Sequence, residues 1–272
     1  LHPCLGVADR FHGRQWFGQQ YQTPKNDAAP VRPSYFYSSL LTTLQTDCGV
    51  GKGFVSRGVS FPLIQKRRPE MHYLFFDTET TGMPDDFDAP VTDTDNWPRV
   101  VQIAWAHVST DPHTIDGTLS YIIRPDGFTI PANAAEVHGI TTERAVSEGY
   151  PRGKVLEAFS KAVRVSDVLV AHNMSFDLPV VGAELVRLRG TNMLHDMPTI
   201  CTKEASTDYC KIPFPGGGRG YKWPKLQELH DTLFGETFDD AHDAGADVKA
   251  GARCFLELLN RGVVSAPMPQ SP

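Results

Sequence analysis

An apolar run, Tyr73-Leu74-Phe75-Phe76, ends abruptly in Asp77-Thr78-Glu79. Four successive large apolar side chains fit a central strand buried on both faces. Side chains alternate along a strand, so Asp77 and Glu79 project to one side while Thr78 points to the other. Two carboxylates held that close at the end of a buried strand repel each other, and one titrates high unless something positive sits between them. A divalent cation such as Mg²⁺ meets that demand, because it takes one or two carboxylates plus water and phosphate oxygens. Asp-x-Glu alone also fits an ordinary solvated strand end, so the residues C-terminal to it have to decide.

From Met71 onward the pattern is regular. An acidic stretch, Met83 to Pro98, carries Asp85, Asp86, Asp88, Asp93 and Asp95 but lacks the Gly and terminal Glu of an EF-hand loop, and it reads as a solvated insertion. Val100 to Val108 and Thr118 to Arg124 read as two further strands, joined through Asp111-Pro112 and Asp116-Gly117, which predicts an antiparallel meander. Ile130 to Thr141 reads as a short helix ended by Gly139. Helical signals at 152–165 precede a short apolar strand, Val168 to Ala171. The helix expected over 176–189 places Leu178, Val181, Leu185 and Leu188 on one face. After a looser region ending in Gly216-Gly217-Gly218-Arg219-Gly220, helices are expected at 225–234 and 243–260. Three strands, then alternating helix and strand, predict an α/β fold with a mixed sheet flanked by helices.

Residues 1–70 show no sustained periodicity and are broken by Pro24, Pro30, Pro33, Pro62 and Pro69. They carry nine Lys/Arg against four Asp/Glu, leaving 17 against 28, or −11, for residues 71–272. Arg10, Arg14, Arg32 and Arg57 suit an organellar transit segment, whereas Phe11, Trp16, Phe17, Tyr21, Tyr35, Phe36 and Tyr37 do not. The expectation is a poorly ordered extension over 1–70 or translated sequence upstream of a start at Met71. A catalytic domain over 71–262 and a short tail over 263–272 complete the layout. Five cysteines without a Cys-x-x-Cys pair fit reduced thiols and a cytoplasmic setting, with organellar targeting by 1–70 left open. No run approaches 18 apolar residues, so no membrane partner is expected.

Three acidic clusters sit at element ends. The first is Asp77 and Glu79. The second is His172-Asn173-Met174-Ser175-Phe176-Asp177, where a buried strand stops and a helix starts. An acid in a first helical turn is stabilised by the macrodipole without any function. The third, His242-Asp243-Ala244-Gly245-Ala246-Asp247, opens the last helix. His242 and Asp247 are about 140° apart on a helix, so they share a target only if His242 lies on the incoming loop. In this order, Asp-x-Glu, His-Asn-x-x-Phe-Asp and His-x-x-x-x-Asp resemble the DnaQ-like (DEDDh) 3′-to-5′ exonuclease family over about residues 71–262. Asp77-Thr78-Glu79-Thr80-Thr81-Gly82-Met83 looks especially like the proofreading subunits of bacterial replicative DNA polymerases.

That resemblance implies an RNase H-like fold and a metal-dependent exonuclease releasing nucleoside 5′-monophosphates from the 3′ ends of DNA. Asp77, Glu79, Asp177 and Asp247 would hold two Mg²⁺ ions, with Mn²⁺ able to substitute. Asp77 would bridge them, Glu79 and Asp247 would complete the nucleophile-bearing site, and Asp177 would support the second ion. Two cations about 3.5–4 Å apart stabilise both the attacking and the leaving oxygen of such a displacement. His242 would be the general base, a role that typically contributes about 10²–10⁴ in rate. By the same likeness Thr80, Met83, His138 and Phe176 meet the 3′-terminal nucleotide. The bland reading makes Met83 and Phe176 core residues. His172 and Asn173 are expected to shape the strand end, and the glycine-rich loop reads as a linker or as a phosphate contact through Arg219, Lys222 and Lys225.

The expected partner is nucleic acid with a free 3′ end, with single-stranded or frayed DNA favoured and polymerase association open. The alternatives are an exoribonuclease of RNase T or oligoribonuclease type, separated by a 2′-hydroxyl contact, and a non-catalytic nucleic-acid-binding module on the same fold.

Overall fold

The computed structural model describes residues 71–110, 113–239 and 241–265. The expectations for residues 1–70, for the Asp111-Pro112 turn and for the end of the C-terminal tail lie outside the described residues. In chain order the elements are β1 (His72–Thr80), β2 (Val100–Thr110), β3 (His113–Ile115), β4 (Leu119–Ile122), α1 (Ala132–His138), α2 (Thr142–Glu148), α3 (Arg152–Arg164), β5 (Val168–Ala171), α4 (Met174–Arg189), β6 (Thr199–Cys201), α5 (Thr202–Ala205), α6 (Thr207–Cys210), α7 (Leu226–Phe234) and α8 (Ala244–Asn260). The sheet runs β3-β2-β1-β5-β6, with β4 also on β2. β1 pairs antiparallel with β2 and parallel with β5, so the sheet is mixed and β1 lies at its centre.

The meander is present, with one difference. The strand expected over 118–124 is the shorter β4, and a separate three-residue β3 precedes it on the same partner. The looser region after α4 contains β6, which extends the sheet parallel to β5. A three-residue strand is too short to show a period of two, so no pattern marks it. α2 is also unmarked; its start is fixed by Thr141, whose side chain accepts from the Arg144 amide at 3.2 Å. Among the described residues no helix is long and apolar enough to cross a membrane.

The unbroken apolar run of β1 reflects burial on both faces. Leu74 and Phe76 pack with Phe159 of α3 and with Val180 and Val181 of α4. Tyr73 and Phe75 face the other way, against Val248, Ala252 and Phe255 of α8. α8 approaches β1 so closely that a Cβ at Gly251 would lie 2.3 Å from Cζ of Phe75. The end of β1 therefore emerges between two helical layers.

One buried charge organises the α4 side. Glu184 is 1% exposed and accepts from Arg99 Nε at 2.6 Å, Arg187 Nη1 at 3.1 Å and Arg152 Nη1 at 3.2 Å. Arg187 also donates to the carbonyls of Thr94 and Trp97, which pins the far end of the acidic insertion to the helix. Removing one partner of a buried ion network strands the others, at a cost of about 3–5 kcal/mol. Glu184→Ala is therefore expected to lower the free energy of unfolding by about that amount, read from equilibrium urea denaturation. A loss below about 1 kcal/mol would show the arginines to be held by their carbonyl contacts instead.

Candidate active site

Asp77 and Glu79 leave β1 on the face that α8 covers, opposite Ala104 and Gln102 of β2. Helix and strand advance together here. Phe75 lies against Gly251; two residues further along β1 is Asp77, and four residues back along α8 is Asp247, each displacement being roughly 6–7 Å. Residues i and i+4 share a helix face, so Asp247 is delivered to the end of β1 by the contact at Gly251. The start of α8 is fixed separately. Asp243 is its N-cap and accepts from the Ala246 amide at 3.0 Å. Gln102 Nε2 donates to Asp243 Oδ2 at 2.8 Å, and the Ala244 amide donates to Gln102 Oε1 at 3.2 Å. Asp243 and Gln102 are not among the site residues expected from sequence. The available signals are an N-cap spacing at 243–246 and a polar residue inside the apolar β2 sequence.

His242 lies on the loop before this cap, with φ 72°, which meets the condition for sharing a target with Asp247. Its amide donates to Asp247 Oδ2 at 3.1 Å. Ligand atoms of Glu79, His242 and Asp247 all lie within 4.8 Å of one another. Asp177 arrives from the opposite layer. Its Oδ1 accepts from the Thr78 amide at 3.1 Å and from Thr78 Oγ1 at 2.7 Å. Thr78, whose side chain points away from Asp77 and Glu79, thus anchors the fourth acid from the other sheet face. Three chain segments, separated by about a hundred and by seventy residues, converge on one strand end.

The electrostatics result from that convergence. Burial, then repulsion from Asp177, Asp247, Glu79 and Asp243, holds Asp77 well above the usual carboxylate range. Burial and the Asp247 charge push Glu79 from 4.5 to about 8. Asp177 rises to about 7 through burial, opposed by its two Thr78 hydrogen bonds and by Lys203. Asp247 rises to about 6 for the same first reason, opposed by the His242 amide. Without a compensating cation this cluster keeps protons at neutral pH. Carboxylate oxygens crowded enough to repel, beside an imidazole, fit a hard divalent cation.

The raised acids also make stability depend on pH. A carboxylate raised in the folded state binds more protons there than in the unfolded chain, so between the two pKa values stability falls as pH rises. Metal-free protein should therefore lose thermal stability from about pH 4.5 to about pH 8, the span of the Glu79 shift, and flatten above it. Melting curves in EDTA and in Mg²⁺ at both ends of that window test this, with Mg²⁺ expected to restore stability mainly at the alkaline end. A rising or flat EDTA profile would mean that the acids are not crowded.

The expected substrate contacts divide. Thr80 is buried and donates from Oγ1 to the Gly82 carbonyl at 2.7 Å. His138 is buried; its Nδ1 accepts from the Ile140 amide at 3.2 Å, while its Nε2 makes no hydrogen bond. Burial pushes the His138 pKa down, His242 lowers it further, and the Thr80 backbone opposes this. Met83 is 65% exposed on the rim of a cleft that includes Trp97, Arg99 and Phe128. Phe176 is buried in the core on the α4 side, as the bland reading has it. His172 is satisfied as expected, bonded to Thr202 Oγ1 and to the Pro224 carbonyl at 3.0 Å each, and burial lowers its pKa to about 4.

The chain is similar to known proteins. The family model RNase_T, described as an exonuclease, matches residues 74–255. DNA polymerase III subunit epsilon of Treponema pallidum is 29% identical over 185 residues, 68% of this chain and 74% of that protein. A DNA polymerase III subunit epsilon-like protein of Rhodobacter capsulatus is 30% identical over 206 residues, 75% of this chain but 26% of its own length. Among solved structures, E. coli exonuclease I in complex with a dT13 oligonucleotide superposes with a TM-score of 0.56 at 20% identity, over 70% of this chain and 41% of that one. Exonuclease I from Methylocaldum szegediense gives a TM-score of 0.54 at 20% identity, again over 70% of this chain and 41% of that one. These likenesses agree on a nuclease with the RNase H-like fold, and with the family model covering most of its length the chain belongs to the RNase T-type exonuclease family, with DnaQ-like relatives.

Proposed function

We propose that this protein is a metal-dependent 3′-to-5′ exonuclease that hydrolyses the terminal phosphodiester of single-stranded or frayed DNA and releases nucleoside 5′-monophosphates. The observation that carries this reading is the convergence of Glu79, His242 and Asp247 within 4.8 Å, with Asp77 so placed that the charges of Asp177, Asp247 and Glu79 all raise its pKa. Asp77, Glu79, Asp177 and Asp247 are the residues to hold two Mg²⁺ or Mn²⁺ ions. Such ions, when bound, supply an activated hydroxide and charge stabilisation at phosphorus. Asp77 has the central place, since all three other acids act on it. His242 is exposed on a loop beside Glu79 and Asp247, where its free imidazole nitrogen can take a proton from an attacking water. Thr80, Met83 and His138 border the space for the last nucleotide, and Phe176 supports it from the core.

DNA is preferred over RNA as substrate because two similar chains are named as polymerase III epsilon proteins and a structural neighbour was solved with a DNA oligonucleotide. The test uses matched 5′-labelled single-stranded DNA and RNA with Mg²⁺, Mn²⁺ or EDTA. The expected result is a ladder that shortens from the 3′ end only with metal and faster for DNA. Internal cuts, or cleavage in EDTA, would sink the reading, and faster RNA loss would move it to an exoribonuclease.

A further inference from the structure

The glycine-rich stretch that reads as a linker is folded. Pro213 bridges antiparallel to Tyr221, the Lys222 amide donates to the Ile212 carbonyl at 2.9 Å, and the Gly217 amide donates to the Phe214 carbonyl at 3.1 Å. The result is a small hairpin arm whose tip, Gly216 to Gly220, includes four glycines with positive φ. Three large aromatic side chains on it face solvent: Phe214 at 44%, Tyr221 at 40% and Trp223 at 60% exposure. Exposed aromatics cost free energy in water and mark a binding surface when they cluster. Between Asp208 and Glu228 the sequence holds Lys211, Arg219, Lys222 and Lys225 and no acid, in a protein of net charge −6. Lys222 is paired with Glu228 at 2.7 Å, so Lys211, Arg219 and Lys225 make the arm a basic, aromatic patch on an acidic molecule.

Its base is coupled to the catalytic cluster. The Trp223 ring lies over Lys203, whose Nζ is 4.7 Å from the ring centroid. Lys203 Nζ donates to Asn173 Oδ1, and the Asn173 carbonyl accepts the Asp177 amide at 3.0 Å. The adjacent Pro224 carbonyl bonds His172 at 3.0 Å. A strand whose 3′ end reached Asp177 would have Trp223 three contacts away, through Lys203 and Asn173.

We infer that the 211–225 arm is a second nucleic-acid-binding element, which stacks the bases of a single strand on Trp223 and Tyr221 and draws its phosphates to Arg219, Lys211 and Lys225. Stacking on aromatic faces is indifferent to sequence and, combined with basic side chains, is how single strands are held without base readout. The inference rests on the nuclease reading and adds to it a site that holds the strand away from the scissile bond.

The test exploits the tryptophans. Within the described residues Trp97 and Trp105 are buried and Trp223 is exposed, so the fluorescence difference between wild type and Trp223→Phe reports Trp223. A dT oligonucleotide of about 12 residues, within the usual span of such sites, is titrated into full-length protein in EDTA at low salt. The expected outcome is quenching that Trp223→Phe abolishes, with Kd raised about tenfold by Trp223→Ala and by Tyr221→Ala. Both side chains are solvent-facing, and unchanged melting temperatures confirm that the variants are folded. Equal affinity in all variants with no Trp223 quenching overturns the arm; if metal-dependent 3′ shortening persists alongside, the exonuclease reading stands. Absence of both binding and cleavage overturns the two together.

Discussion

Asp77→Asn is expected to reduce hydrolysis by on the order of 10³-fold or more and, in EDTA at pH 8, to raise the melting temperature. The two effects have one cause. Asp77 is the acid on which burial and the charges of Asp177, Asp247, Glu79 and Asp243 all act, so its ionised form is strained in the metal-free fold. An amide of the same shape removes that repulsion. Each kcal/mol relieved is worth roughly 2–4 °C in a domain of this size. The same amide removes the carboxylate at the centre of the proposed metal site, so Mg²⁺ should stabilise the variant much less than wild type. Differential scanning fluorimetry with and without Mg²⁺, beside the oligonucleotide assay, reads all three quantities. A variant that melts lower in EDTA would identify Asp77 as a structural residue, because its loss would then have removed favourable contacts.

His242→Ala is expected to lower kcat by about 10²–10⁴-fold while leaving the Mg²⁺-induced rise in melting temperature largely in place. His242 is exposed, and the bond it makes to Asp247 uses its amide, which alanine retains. Its positive φ of 72° suits histidine somewhat better than alanine, so the substitution adds only a small backbone strain. The imidazole is therefore the part lost, and with it the proton acceptor beside Glu79 and Asp247. Single-turnover rates at saturating Mg²⁺ separate the roles: the chemical step should fall in the variant while the Mg²⁺ concentration dependence stays that of wild type. Near-normal turnover at pH 7 would remove His242 from the mechanism and leave it a loop residue.

Much of the fold and of the cluster is legible in the chain itself. Four apolar residues followed by Asp-x-Glu locate the central strand and put two acids on one side of it, because strand alternation is local geometry. The last helix and the strand-to-helix junction at 171–177 are marked by periodicity and by Gly and acid placement. Short elements such as β6 and α2 carry too few residues to show a period, and sequence patterning misses them for that reason. The glycine-rich 216–220 stretch looks like a linker because glycine permits every conformation and sequence alone does not choose one. The backbone bonds at Pro213, Tyr221 and Lys222 make that choice.

The order of residues settles where acid, base and apolar character lie and how they alternate locally, since those depend only on neighbours along the chain. Which of them meet is a matter of tertiary packing. Asp177 reaches β1 through Thr78 from one sheet face, and Asp247 reaches it through the Gly251–Phe75 contact on the other. Gln102, a β2 residue, locks the helix start that carries His242 and Asp247. Those meetings are set by side-chain packing between segments far apart in the chain, and the pKa values are raised because that packing brings four carboxylates, one buried and three half-buried, into one corner.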